Sequence, residues 1–322
     1  PGGGLGRGES MENFILSLNV VLPLFLIMAV GYLLRRIGLL DDAVLPKLNS
    51  LVFKAFLPMM LFNNIYHSDL ESMMNPKLIL TAVVSILVIF GVLCLVIPRI
   101  EKDGPRRGAM VQGIFRSNYI IFGVPIVSGV FGEQGLGVVS ILSAFAIPLF
   151  NVLSVVALEI FSHGTVNKNR IVKGIVTNPL IIASLLGVVF LLAGIPIPTP
   201  VEEALADMSA IATPLGLVSL GGFFKFADTK RYLKQLIIVV AGRLVVCPAI
   251  FLPVFVSMGF RGVDLMALAT MMGAPIAVSS FIMAQQQGAD ADLAGQAVVY
   301  TALFSIFTMF LIIFGLKQLA LI

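Results

Sequence analysis

The sequence predicts an all-α polytopic membrane protein with ten transmembrane helices, arranged as two inverted five-helix repeats. Three observations carry that prediction. Of 322 residues, 58% are hydrophobic and 12% charged, with a mean hydropathy of +1.04; soluble domains sit near about 45–50% and about 25%. Apolar runs recur from Phe14 to Leu316, most near the roughly 20 residues that a spanning helix needs. Prolines and glycines recur in the same order in the two halves.

Residues 1–10, PGGGLGRGES, are Gly-rich and polar, and are read as a cloning scar or a disordered tail. No cleavable signal peptide is expected, because the apolar run after Met11 is long enough to span and is ended by RRIG. The first span is 14–34, followed by 45–66, 77–98, 108–131 and 136–161. Together 11–161 form the first repeat. A short cytoplasmic linker, 162–170, leads to the second repeat, 171–322, with spans 171–193, 202–224, 235–257, 263–287 and 293–316. The connections are too short for a soluble domain.

Basic residues alternate between these connections. Arg35, Arg36 and Lys47, then Arg99, Lys102, Arg106 and Arg107, then Lys168, Arg170 and Lys173, then Lys225, Lys230, Arg231 and Lys234 fall on one side. The other side has Lys77, Arg261 and Lys317. Positive loops stay cytoplasmic, so the protein is expected in the plasma (inner) membrane with both termini outside. The ninth loop, QQQGADAD, belongs on the basic side yet carries no base. The net charge of +4 therefore reflects topology, not nucleic acid. Cys94 and Cys247 form no metal or disulfide spacing. No acid/base pair, nucleophile motif or phosphate loop stands out. No enzyme activity, cofactor or metal is expected.

At a spacing of 156, Pro23 matches Pro179, Gly31 matches Gly187, Gly38 matches Gly194 and Pro58 matches Pro214. At 150, Gly123, Pro125 and Ile126 match Gly273, Pro275 and Ile276. Five spans per copy is odd, so the second copy enters the membrane inverted. Inverted repeats with paired broken helices are a signature of secondary transporters. Proline removes a helical N–H and displaces the carbonyl four residues back. Lipid cannot satisfy those groups, so a break survives only inside protein or beside water. The fourth and ninth spans are then the broken pair, interrupted at Pro125 and Pro275. A single proline would be read as a packing kink; a symmetric pair, each with a glycine two residues before it, points to a binding site.

Ionisable groups at membrane depth are costly and are candidates for function. Arg116 either attracts an anion or snorkels to the surface, and Arg243 faces the same choice, with structure favoured. Lys54 is read as snorkelling and Glu159 as solvated or paired. Among neutral groups, Asn118, Ser279 and Ser280 flank the breaks and are the expected ligands, whereas Asn63 and Asn64 are read as interhelical glue. Asn151, Gln285 and Gln286 are further polar groups in or beside spans. His67 and His163 lie at span ends and are read as surface residues.

The chain from Met11 onward resembles the auxin efflux carrier family. The residues behind the resemblance are LVFKAFLPMMLF, RSNYIIFGVPI, NVLSVV, NPLIIASLLG, GRLVVCPA and GAPIAVSSFIMAQQQGADADLAGQAVVYTALFS, in that order. The resemblance implies ten helices in two inverted repeats, with the fourth and ninth broken and crossing at prolines. It implies export of an organic anion, with Asn118 at the fourth-helix crossover, Pro125 and Pro275 as the crossing prolines, and Asn178 in a shared Asn-Pro pair. It also implies a homodimer through the first, second, sixth and seventh helices. Plant members read VPLLSF where this chain has LPMMLF, with Leu61 in place of a serine. That departure weakens the case for auxin itself.

The expected function is a secondary transporter that exports or exchanges a small organic carboxylate, auxin-like or a dicarboxylate such as malate, by alternating access around a crossover site. The expected substrate-binding residues are Arg116, Asn118, Gly123, Pro125, Asn178, Pro275, Ser279 and Ser280. The rivals are a sodium-coupled organic-anion symporter of the bile-acid-carrier type and a membrane sensor that binds a ligand without moving it.

Overall fold

In the computed structural model, residues 5–68, 75–162 and 168–322 are described. The expected linker therefore lies partly outside the described residues, as does His163. The elements are α1 Leu5–Arg36, α2 Val44–Leu51, α3 Leu57–Tyr66, α4 Pro76–Ile100, α5 Gly104–Phe115, α6 Tyr119–Ser162, α7 Lys168–Thr177, α8 Pro179–Ala193, α9 Thr199–Phe223, α10 Asp228–Arg231, α11 Leu233–Ala241, α12 Cys247–Ser257, α13 Gly262–Gly273, α14 Val278–Gln286 and α15 Ala291–Gln318. A π-helical turn, Val52–Phe56, joins α2 to α3, and another, Gly242–Val246, joins α11 to α12. The described residues contain no strand.

Seven helical stretches are long and apolar enough to cross a bilayer, or eight when α7 and α8, bent by 56°, count as one span. This is a multi-pass membrane protein. α5 and α13, at 12 residues each, are about 18 Å long and cannot span alone. The first helix begins at Leu5, inside the segment set aside as a tail.

Local sequence explains where the helices begin. Asn75, Asp103, Asn178 and Asp290 cap α4, α5, α8 and α15 by accepting first-turn N–H groups. Proline in the first turn follows three of them, Pro76, Pro105 and Pro179, where a missing N–H costs nothing. Gly38 and Gly194 take left-handed φ values of 83° and 60° just past α1 and α8, as a helix-ending glycine does.

α6 has 44 residues, about twice a bilayer's need, and reverses at Gly132, whose φ of 62° and ψ of −141° are not helical. The two arms then pack antiparallel. A Cβ on Gly135 would lie 2.5 Å from the Val127 carbonyl oxygen, and one on Gly123 would lie 3.1 Å from both Tyr119 and Val139. Small residues also allow the closest crossings elsewhere. Gly31 of α1 lies against the backbone of Val218 in α9, Gly221 of α9 against Met28 in α1, and Gly187 of α8 against Phe62 and Ile65 in α3.

One end of the molecule is held by polar contacts between basic connections. Asp290 accepts from the Tyr232 hydroxyl at 3.0 Å, and its N–H donates to the Pro105 carbonyl at 3.2 Å. It also lies 3.5 Å from Arg106. The base-free ninth loop thus sits among the basic connections, where its acid meets their charge. At the other end His67 pairs with Glu202 at 2.7 Å, and Asn75 donates to Asp264 at 3.0 Å.

Candidate functional site between two helix breaks

α5 ends at Phe115 and α6 begins at Tyr119; between them 116–118 are extended. α13 ends at Gly273 and α14 begins at Val278, with 274–277 between. The two breaks lie against each other. Ser117 and Ile276 form an antiparallel bridge, and the Asn118 N–H donates to the Pro275 carbonyl at 2.8 Å. The Ile276 N–H donates to the Thr301 hydroxyl at 3.2 Å. Each break thereby satisfies backbone groups that lipid would leave bare.

Pro125 does not make the first break. It lies inside α6, six residues after the start at Tyr119. Its ring deprives the Ile121 carbonyl of its helical partner, and loss of one bond leaves the helix continuous. The match at a spacing of 150 therefore does not align the two breaks. Gly123 serves close packing against Tyr119 and Val139. Asn178 caps α8, accepting from Leu180 N–H at 2.9 Å. Ser280 is 2% exposed, and its Oγ has no partner among the described residues. None of Gly123, Pro125, Asn178, Pro275 and Ser280 lines the cavity described next.

Arg116, Asn118 and Ser279 do line it. The cavity, about 80 Å³, lies between α3, α9 and the two breaks. Arg116 does not snorkel: it is 4% exposed. Its guanidinium donates to Asn151 Oδ1 at 2.7 Å, Ser279 Oγ at 2.8 Å and Ser154 Oγ at 3.0 Å, and it touches Met283. Asn151 in turn donates to Ser184 at 3.3 Å. All these partners are neutral, and no Asp or Glu lines the cavity. The positive charge is solvated by dipoles but not neutralised. α6 and α14 both begin at the cavity wall, where first-turn N–H groups and helix dipoles favour negative charge. α14 has no side-chain cap.

Two groups of residues around the cavity were not picked out from the sequence. Asn64, taken for glue, lines the cavity, as does Thr213. Asn151 and Ser154 are what hold Arg116. Their signal was present, since polar residues three apart share one helix face, but nothing local said which helix that face meets. Arg243 does not snorkel either: it is 1% exposed and bonded to main-chain carbonyls.

The profile of the membrane transport protein family matches residues 16–313. The chain belongs to that family. It is the auxin efflux carrier family to which the sequence motifs pointed. An uncharacterized transporter of Methanothermobacter thermautotrophicus is 24% identical over 309 residues, 92% of this chain and 97% of the relative. An uncharacterized transporter of Methanocaldococcus jannaschii is 23% identical over 301 residues, covering 91% and 96%. A Rhizobium meliloti protein named provisionally as a malonate transporter is 21% identical over 309 residues, covering 90% and 93%. Family and relatives together mark a transporter rather than an enzyme.

Proposed function

We propose that this protein is a secondary transporter of small organic carboxylates, working by alternating access around the cavity between the two breaks. One observation carries the reading: the Arg116 guanidinium is buried at that cavity with only neutral partners. A cation taken out of water costs several kcal/mol unless compensated, and an incoming carboxylate supplies the missing charge. The Asn118 side chain, which makes no hydrogen bond among the described residues, and the first-turn N–H groups of α6 and α14 would share the anion. The remaining wall is apolar, with Leu61, Ile121, Ile147, Phe150 and Ile282. One charged end and an apolar body suit this lining best. A dicarboxylate, as the name of the Rhizobium relative suggests, would present its second carboxylate to neutral groups only.

The architecture that goes with this function is ten spans in two inverted repeats. Counting the two arms of α6 separately, and joining α5 to the first arm, α7 to α8 and α13 to α14, gives ten crossings. The repeat has support in paired contacts: Gly31 packs α1 on α9 as Gly187 packs α8 on α3, and Gly38 and Gly194 end corresponding helices. The basic connections would face the cytoplasm and both termini the outside. A homodimer through the first, second, sixth and seventh spans would cover the exposed apolar face of α8 at Leu185, Val189 and Leu192.

Counterflow in proteoliposomes tests the function. Vesicles preloaded with one carboxylate are offered a labelled one, from a panel that includes malonate, malate and indole-3-acetate, with and without sodium and proton gradients. Accumulation that needs a loaded carboxylate is expected. Saturable binding without counterflow for any member would replace the transporter by a sensor, and dependence on sodium would favour the symporter.

A further inference from the structure

Arg243 makes no contact with a carboxylate and does not line the cavity, yet it is among the most completely buried large side chains, at 1% exposure. Every hydrogen bond it makes runs to a main-chain carbonyl at the end of a helix. Nε donates to Ala274 at 2.7 Å and one terminal nitrogen to Met271 at 2.5 Å, both at the end of α13. The other terminal nitrogen reaches Ile114 at 3.2 Å and Phe115 at 3.3 Å, at the end of α5. These are the carbonyls that a helix end leaves without partners, and they carry the negative ends of two dipoles. Two such ends brought together repel, and no water is at hand in the membrane interior to separate them. A planar guanidinium, with donors fixed in a fork, can serve both at once. The side chain is aimed there by the π-helical turn at Gly242–Val246, a device frequent at functional sites. Gly242 brings that turn close to α5: a Cβ there would lie 3.2 Å from Ile114.

The residues that follow the stapled ends are those of the candidate site. Arg116 succeeds Phe115 directly, and Ala274 opens the non-helical segment whose Pro275 receives the Asn118 N–H. We propose that Arg243 is a positioning residue for substrate binding, which ties the ends of α5 and α13 together and so sets where Arg116, Asn118 and the start of α14 stand around the anion. This rests on the reading of the cavity as the substrate site.

The test uses the full-length protein in proteoliposomes, with labelled indole-3-acetate and labelled malonate in parallel. Arg243→Lys keeps the charge, but a single ammonium cannot reach both helix ends. KM for the transported probe is expected to rise about tenfold or more in the folded fraction, since a displacement near 1 Å is enough for such losses. Arg243→Gln should do the same, and Lys should not rescue it. A purely structural staple would lower the melting temperature and the folded yield of Arg243→Lys while leaving KM at the wild-type value; that result overturns the proposal. If neither arginine variant folds, Gly242→Ala carries the test through its pressure on Ile114: a raised KM supports the proposal and an unchanged one overturns it. Asn118→Ala is measured alongside. If it raises KM and Arg243→Lys does not, only the role of Arg243 fails. If neither changes KM, the cavity is not the substrate site.

Discussion

The Asn118 N–H donates to the carbonyl of Pro275 at 2.8 Å, across a sequence distance that spans nearly half the chain. That bond joins two helix breaks into one unit. It also separates the two prolines that look alike in sequence. Pro275 sits in a break, whereas Pro125 sits within a helix.

Pro275→Ala should impair transport more than stability. Alanine restores an N–H and is the best helix former, so α13 can extend through the break and withdraw the segment that meets Asn118. Pro125→Ala should leave transport near wild type and raise the melting temperature slightly, because it repairs one bond in a continuous helix. Uptake per folded molecule and a melting curve for both variants decide this; equal losses of transport would restore Pro125 to the site.

Asn118→Ala should weaken carboxylate binding with the fold intact. Loss of one hydrogen bond to a charged ligand costs about 1.5–3 kcal/mol, or roughly ten- to a hundred-fold in affinity. Calorimetry with a transported carboxylate measures it, and wild-type affinity in a well-folded variant would move the ligand elsewhere.

Gly135→Ala should destabilise the α6 hairpin, because its Cβ would come within 2.5 Å of the Val127 carbonyl oxygen. Overpacking of this kind costs about 1–3 kcal/mol. Gly315→Ala is the control: its Cβ would meet nothing within 4 Å, and it should be neutral or stabilising. A thermal-melt comparison in detergent in which the two variants behave alike would contradict the packing of the arms.

Partial burial pulls the Glu101 carboxyl up, but the Asp103 N–H, the Gln235 amide, the Lys102 N–H and Arg106 outweigh it and hold it below the usual glutamate value. A lowered folded-state value contributes stability above the unfolded-state value and loses it as pH falls through the folded one. The melting temperature should therefore fall below about pH 4.3, and Glu101→Gln should flatten that part of the profile. Identical acid profiles would remove Glu101 from the connections at this end.

Single cysteines at Lys102 and Thr199 should label from opposite sides, Lys102 from the cytoplasm. They sit at the ends marked by Asp290–Arg106 and His67–Glu202 respectively. Labelling of both by one impermeant reagent on one side would refute the orientation.

Membrane residence was written in composition, because 58% hydrophobic residues in runs of bilayer length admit no other solvent. Helix starts are encoded locally at Asn75-Pro76 and Asn178-Pro179, since capping and proline geometry act over two or three residues, although the sixth span was read straight through the second, as 171–193. The helix-ending glycines Gly38 and Gly194 are local signals too, and were read only as marks of the repeat. The candidate site was half legible. A buried arginine and an asparagine beside an apolar break mark cost, and cost marks function, so Arg116, Asn118 and Ser279 stood out. The place of the break did not. Backbone groups in an apolar medium take whichever partner reaches them, and for 117–118 that partner is 275–276, in the break between α13 and α14. The same holds for the four carbonyls that Arg243 collects from α5 and α13, and for Asn64, whose neighbour Asn63 has the same chemistry but does not line the cavity. Tertiary packing alone decided these, because a hydrogen bond is chosen by proximity in space and sequence encodes proximity only along the chain.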